Sequence, residues 1–355
     1  MGGCRVYGRP LLPRQQDSTD ASPAPRALVR VSKMVGMIDR SAPTFELSKY
    51  ARRVGTERSL SRRHKTGDLV RVRQGVYIAA ESWEALGPDA RFRTAVYAAA
   101  EVVRPGTQFA GDSAAALLRI PTLGPWPTRV EVLGERASGG RSSSGVHRRS
   151  APNDPAAIQL HGVTVTSLAR TAVDIGAACG FLRAVCMIDD VLRKPHQGEF
   201  RDALGIATPP KELLFDVAAS LAPFPGLVKA SFAIGFADGA SGSIGESLSR
   251  AQMHVLGLPA PLLQVPFYDA DGLIGYADFY WPELGLIGEF DGRVKYNGRV
   301  YHRGQLPEEV VWAEKQREDR LRAVARDLVR WDWNVAFNAP LLAARLASHC
   351  LAPAR

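Results

Sequence analysis

The chain has 355 residues, of which 46% are hydrophobic, so it is too long for one small core and long enough for two or three globular domains. A formal net charge of +9 predicts a polyanionic partner, unless part of that charge belongs to a flexible tail. No run of about eighteen apolar residues is present, so we expect no membrane-spanning helix and no membrane partner.

Residues 1–40 are rich in Pro, Arg, Ser and Asp without any periodicity, which predicts a disordered tail. Met34 or Met37 is an alternative start, a hypothesis that N-terminal sequencing would test.

The four cysteines form no Cys-x-x-Cys pair, which disfavours zinc and favours a reducing cytoplasm. Cys179 and Cys186 lie in an apolar helical stretch and are predicted to be buried thiols.

Residues 41–80 predict a winged helix-turn-helix domain. An apolar stripe from Thr44 predicts a first helix, residues 56–65 a second, and the alternating residues 69–78 a small β-ribbon. This segment is strongly basic, which favours contacts with DNA phosphates, although a solvated basic face is the simpler alternative. The candidate DNA-binding residues are Lys49, Arg52, Arg53, Arg58, Arg62, Arg63, Lys65, Arg71 and Arg73.

The phrase Gly67-Asp-Leu-Val-Arg-Val-Arg-Gln-Gly-Val-Tyr resembles the N-terminal domain of type IV (AbiEi-like) antitoxins. Thr166-Ser-Leu-Ala-Arg-Thr-Ala-Val-Asp is similar to the domain that follows the winged helix in those proteins. The resemblance implies a winged helix, transcriptional repression and a cognate toxin as partner.

An α/β middle domain is predicted over residues 81–195, followed by a linker over 196–211 that is rich in Pro and Gly. Within the middle domain, residues 108–118 are predicted to be helical, and Arg170 and Asp174 are spaced for an i,i+4 salt bridge. No catalytic constellation stands out in this region.

A third domain is predicted over residues 212–355. Its first helix of interest begins near Ser243, whose side chain is expected to cap the helix, with Glu246 as the partner in a capping box. Capping could be the whole role of Glu246, and metal binding is the alternative.

Two short strands joined by the turn Pro282-Glu-Leu-Gly285 are predicted to form a hairpin. If Glu283 and Leu284 are the loop residues, Asp278 lies opposite Glu289, and Asp291 shares the face of Glu289. Like charges at such positions destabilise a sheet. The pattern therefore favours a bound cation, and carboxylate oxygens suit Mg²⁺ or Mn²⁺, with a solvated acidic face as the alternative.

The run from Asp278 to Gly292, with the helical Glu246 upstream, resembles PD-(D/E)XK nucleases of the very-short-patch-repair-endonuclease-like branch. The resemblance covers about residues 240–337. It implies a restriction-endonuclease-like α/β core in which Glu246, Asp278 and Glu289 occupy metal-binding positions. This chain departs from the pattern at Asp291, which stands where the family has a catalytic Lys, and Lys295 is a candidate to reach back.

The sequence thus predicts a multidomain α/β (α+β) protein of the cytoplasm that binds DNA. Two functions are consistent with its residues. One is a metal-dependent endonuclease that cleaves phosphodiester bonds of DNA. The alternative is a non-catalytic repressor or antitoxin of a type IV toxin–antitoxin system. The sequence does not indicate the oligomeric state, the DNA site that is recognised, or a preference for DNA over RNA.

Overall fold

A computed structural model describes residues 43–134, 145–197, 199–292 and 307–353, except the side chains of 307–311 and 313. These residues form a mixed α/β structure with helices and three sheets. The predicted N-terminal tail and Lys295 lie outside the described residues. No helix in the described ranges is long and apolar enough to cross a membrane.

The N-terminal segment has two helices followed by a β-ribbon, in the predicted order. The first helix was predicted from Thr44, and this start is wrong, because the helix begins at Ser48. Glu46–Leu47 instead forms a short strand that pairs with the second ribbon strand, because Leu47 packs against the buried Val76. The sheet order is β1-β3-β2. The elements are β1 (Glu46–Leu47), α1 (Ser48–Arg53), α2 (Glu57–Lys65), β2 (Leu69–Arg73), β3 (Val76–Ala79) and α3 (Ala80–Glu84).

The middle of the chain forms a mixed five-stranded sheet in the order β6-β5-β4-β8-β7. Its elements are α4 (Pro88–Ala100), β4 (Gln108–Phe109), α5 (Gly111–Leu117), β5 (Val130–Gly134), β6 (Val146–Ser150), β7 (Ile158–Leu160), β8 (Val163–Val165), α6 (Leu168–Ala178), α7 (Phe181–Leu192) and α8 (Phe200–Ala203).

The helix predicted over residues 108–118 is wrong at its start. Gln108 and Phe109 form the central strand, because the buried Phe109 pairs with Val132 on one side and Val165 on the other. The predicted pair of Arg170 and Asp174 is confirmed, with Nε and Oδ1 2.9 Å apart. Of the two cysteines predicted to be buried, Cys186 is buried and Cys179 is half-buried.

Two further helices, α9 (Lys211–Leu221) and α10 (Leu227–Phe236), bury Leu214 and Ile234 in the same core as the middle sheet. A Cβ at Gly176 of α6 would lie 3.0 Å from the Cα of Ala230, so the glycine allows α10 to pack closely on α6. The core of the middle sheet therefore continues past residue 211, where a boundary was predicted. The described residues belong to one compact unit, and the domain boundaries inside it stay predictions.

The C-terminal part forms a four-stranded sheet in the order β12-β11-β10-β9, in which β9, β10 and β11 are antiparallel and β12 is parallel to β11. The predicted hairpin register is confirmed, since Phe279 pairs with Gly288 and Tyr280 with Ile287. The elements are α11 (Ile244–Val255), β9 (Leu262–Asp269), β10 (Gly272–Trp281), β11 (Leu286–Asp291), α12 (Pro307–Val324), β12 (Asp327–Asp332), α13 (Trp333–Phe337) and α14 (Ala339–Ala347).

Two apolar clusters hold this sheet between helices. Phe279, Trp281 and Trp331 belong to a cluster that includes Leu248 of α11 and Leu342 of α14. A second cluster joins Ile274 and Ile287 to Leu321 of α12. The sheet thus lies between α12 and the helices α11 and α14. The acidic side chain in the first turn of α11, Glu246, comes next to a strand residue, Gln264.

Candidate functional site

The N-terminus of α11 rests directly on β11. A Cβ at Gly245 would lie 1.9 Å from the ring of Phe290, so only glycine permits this approach. The predicted cap is confirmed, because Ser243 Oγ accepts from the backbone N–H of Glu246 (3.3 Å). Glu246 is its partner through the hydroxyl group, since Ser243 Oγ donates to Glu246 Oε1 (2.8 Å). The backbone N–H of Gly242 donates to Oε2 over 2.8 Å. These contacts fix the Glu246 carboxylate at the edge of the sheet.

A glutamine that was not among the predicted site residues joins Glu246 to Asp278. Gln264 lies on β9, and its Nε2 donates to Glu246 Oε2 over 2.9 Å and to Asp278 Oδ1 over 3.1 Å. The other oxygen of Asp278 accepts from the backbone N–H of Phe290 over 2.9 Å. The structure thus brings together two of the predicted metal-binding residues, from a helix and a strand 32 residues apart in the chain, through one amide group.

Asp278 is electrostatically perturbed. Its loss of hydration, and then the neighbouring carboxylate of Glu246, raise the pKa of Asp278 to about 7, with a smaller contribution from Glu289. The hydrogen bonds from Phe290 and Gln264 act in the opposite direction. Burial is thus the first cause of the raised pKa of Asp278, and the repulsion expected from the neighbouring carboxylates adds to it.

Glu289 has a different environment from the one predicted. Its Oε1 accepts from Arg317 Nη2 over 2.8 Å, and its Oε2 accepts from Arg330 Nη2 over 2.6 Å. Arg330 is the direct neighbour of Glu289 across the parallel strands, and Arg317 comes from α12. Two cations therefore already pair with the Glu289 carboxylate, and the same two arginines also pair with Glu314 (3.2 and 3.0 Å).

The predicted convergence of Asp278, Glu289 and Asp291 is only partly present. Among the described residues, no group of three His, Cys, Asp or Glu side chains is placed to hold a metal ion. Asp291 ends β11 as a half-buried residue beside Asp332. The metal roles of Glu246, Asp278 and Glu289 remain predictions, and the geometry favours the first two.

The arginines at this site were missed because their partners are distant in sequence. Arg317 and Arg330 lie 28 and 41 residues from Glu289. Arg320 lies in α12 like Arg317, but it donates two hydrogen bonds of 2.6 Å to Asp269 rather than to Glu289. A signal for Arg330 and Gln264 does exist, since each is a polar residue with apolar neighbours on both sides in its strand.

The nine candidate DNA-binding residues fall into three groups. Lys49, Arg52 and Arg63 form ion pairs with Glu101, Glu57 and Glu46. Arg73 is half-buried, and its burial lowers the pKa of its guanidinium group. The remaining five are exposed and form no salt bridge within the described part of the chain: Arg53, Arg58, Arg62, Lys65 and Arg71.

Three of these five residues form a stripe on one face of α2. Arg58, Arg62 and Lys65 lie at helical positions i, i+4 and i+7 and line a shallow depression together with Ser61 and Glu57. Among the described residues, only α2 lines this surface, which is open to solvent. We call Arg58, Arg62 and Lys65 the α2 stripe.

No protein-family model matches the chain. Two proteins of Mycobacterium tuberculosis are 30% identical to it over 267 residues, an alignment that covers 74% of this chain and 86% of each relative. They are the uncharacterized protein MT2308 of strain CDC 1551 / Oshkosh and the uncharacterized protein Rv2248 of strain ATCC 25618 / H37Rv. The chain belongs to the family of these two proteins. Neither of these two names states an activity.

Proposed function

We propose that the protein binds DNA through a winged helix formed by residues 41–80 and cleaves phosphodiester bonds at a site for Mg²⁺ or Mn²⁺ formed by Glu246 and Asp278. The observation that carries this proposal is the contact of these carboxylates through one amide, together with the raised pKa of Asp278. Two repelling carboxylates held in a fixed position lower the stability of the protein until a cation neutralises them.

The donor set fits a hard divalent cation, because it consists of carboxylate oxygens from Glu246 and Asp278. Such an ion would lower the pKa of a bound water molecule and neutralise charge on the phosphoryl group. Arg317 and Arg330 pair with Glu289 beside the acidic pair, but both also pair with Glu314 and Arg330 pairs with Glu318, so their charges are already shared among three carboxylates. Asp291 is the described candidate for orienting the attacking water, and Lys295 is the second candidate.

The α2 stripe supports the DNA-binding half of the proposal. Its three cations share one helix face, are exposed and have no salt-bridge partner among the described residues, so they are available to phosphates. Lys/Arg–phosphate contacts release counterions, which makes such binding steeply dependent on salt.

A repressor or antitoxin that binds DNA and cleaves nothing is the second candidate function. The observation that favours it is the pairing of Glu289 with two arginines, since a neutralised carboxylate is a poor metal ligand. Asp291 at the position of the catalytic Lys favours it as well.

A nicking assay on supercoiled plasmid separates these functions. We expect the wild type to nick the plasmid with Mn²⁺ or Mg²⁺ and Asp278→Asn to lose this activity. Asp271→Asn, at an exposed residue of the turn that joins β9 and β10, is the matched control and should nick normally. Salt-dependent DNA binding without nicking in either metal would exclude the nuclease and leave the repressor.

DNA binding is tested separately by fluorescence anisotropy over a range of salt concentrations. Arg58→Glu with Arg62→Glu should lower affinity and reduce the slope of log K against log salt by about 2, since each lost phosphate contact contributes roughly 0.9. Arg104→Glu with Lys229→Glu makes the same change in charge at two exposed residues elsewhere and is the control. If the two double variants bind DNA with equal affinity, the α2 stripe does not contact DNA.

A further inference from the structure

Gln264 holds the place between the two carboxylates that a cation would take. Its single Nε2 atom lies within 2.9 Å of an oxygen from α11 and 3.1 Å of an oxygen from β10. Within the described residues no third acidic side chain completes this site. We propose that Gln264 is a third ligand of the cation, which it binds through Oε1, and that its Nε2 group replaces the cation when none is bound. This inference rests on the proposed metal site.

The chemistry of the amide group permits both states. A primary amide carries two N–H donors and one carbonyl acceptor on the same carbon. Rotation about the last side-chain bond exchanges Nε2 for Oε1 without movement of the backbone. The donor then faces two carboxylates in the cation-free state, and a hard oxygen ligand faces the ion in the bound state. Glu246, Asp278 and Gln264 together supply three oxygen ligands from three elements.

The backbone of Gln264 points to a functional constraint. Its φ angle is +48°, in the left-handed region that residues other than glycine rarely adopt. The strand pairs on either side, Leu263 with Phe279 and Val265 with Ala277, keep a regular register, so the unusual conformation falls opposite Asp278. Strained backbone of this kind concentrates at ligand-binding sites. Here it coincides with the residue whose side chain joins the carboxylates.

A structural role for Gln264 makes a different prediction. If the amide only attaches α11 to the sheet, its removal lowers stability and leaves the affinity for a cation unchanged. If Gln264 is a ligand, its removal lowers that affinity as well. Stability without metal and affinity for metal therefore have to be measured on the same variants.

The experiment is a calorimetric titration of the full-length protein with Mn²⁺, combined with thermal melting in EDTA and in Mn²⁺. We expect Gln264→Ala to weaken Mn²⁺ binding at least tenfold. Gln264→Glu adds a charge to the acidic pair, so we expect a lower melting temperature in EDTA and a larger rise on adding Mn²⁺ than in the wild type. Gln252→Ala is the control, because this buried amide of α11 contacts the carbonyl of Phe337 instead.

The outcomes separate this inference from the proposed function. Wild-type affinity in Gln264→Ala, with loss of binding in Asp278→Asn, would leave the metal site intact and overturn the role of Gln264. An absence of Mn²⁺ binding in the wild type would instead overturn the metal site itself. If Gln264→Glu does not fold in EDTA, Gln264→Ala still decides the question.

Discussion

The raised pKa of Asp278 predicts how stability depends on pH. In the folded protein this carboxyl group titrates near 7, whereas its ordinary value is 3.8. An acid whose pKa is raised by folding binds its proton more tightly in the folded state than in the unfolded state. Its contribution to stability is therefore fully present below pH 4 and is lost as the pH rises to about 7.

The magnitude follows from the pKa difference. A rise from 3.8 to about 7 corresponds to roughly 4 kcal/mol, at about 1.4 kcal/mol per pKa unit. Solvent reaches part of this half-buried carboxyl group, so we expect a measured loss of roughly 2 to 4 kcal/mol between pH 4 and pH 8. Asp278→Asn cannot titrate and should not show this loss.

The assay is urea unfolding in EDTA at a series of pH values, for the wild type, Asp278→Asn and the exposed control Asp271→Asn. The amide of the variant also changes the hydrogen bonds to Gln264 and Phe290, which adds an offset that does not depend on pH. The measurement is therefore how the difference in unfolding free energy between variant and wild type changes with pH. We expect Asp278→Asn to gain stability relative to the wild type as the pH rises, and Asp271→Asn to follow the wild type.

Parallel pH profiles for Asp278→Asn and the wild type would refute the reasoning, because they would mean that Asp278 titrates normally. Repeating the series in millimolar Mn²⁺ adds a second check. At pH 8 the cation should stabilise the wild type by mass action and leave Asp278→Asn unchanged.

Three further substitutions test how the site is held in place. Gly245→Ala puts a Cβ against the ring of Phe290 and should cost about 2 to 3 kcal/mol in urea unfolding, with a weaker response to Mn²⁺ because Glu246 moves with the helix. Ser243→Ala removes the helix cap and should cost about 1 kcal/mol in the same assay. Arg250→Met leaves the buried carboxylate of Asp189 without its partner and should cost roughly 3 to 5 kcal/mol, whereas a loss below 1 kcal/mol would show that the pair contributes little.

Local patterns in the sequence determined several features of the site. The turn residues 282–285 set the register of the hairpin, because strand side chains alternate with a period of two and the four-residue turn between Trp281 and Leu286 fixes which residues face each other. The Ser-x-x-Glu spacing at Ser243 determined the cap of α11. The i,i+4 spacing of Arg170 and Asp174 predicted their ion pair for the same reason. Each of these features depends on residues within a few positions of one another.

Only the tertiary structure decided which groups meet the carboxylates. Gln264 reaches both Glu246 and Asp278 because β9 lies beside β10 with an unusual backbone angle at that residue. Arg317 reaches Glu289 because of the rotational position of α12, and Arg330 because β12 pairs in parallel with β11. Periodicity shows which face of an element is apolar, but it does not give the rotation and offset of one element against another, and these depend on packing across the whole core.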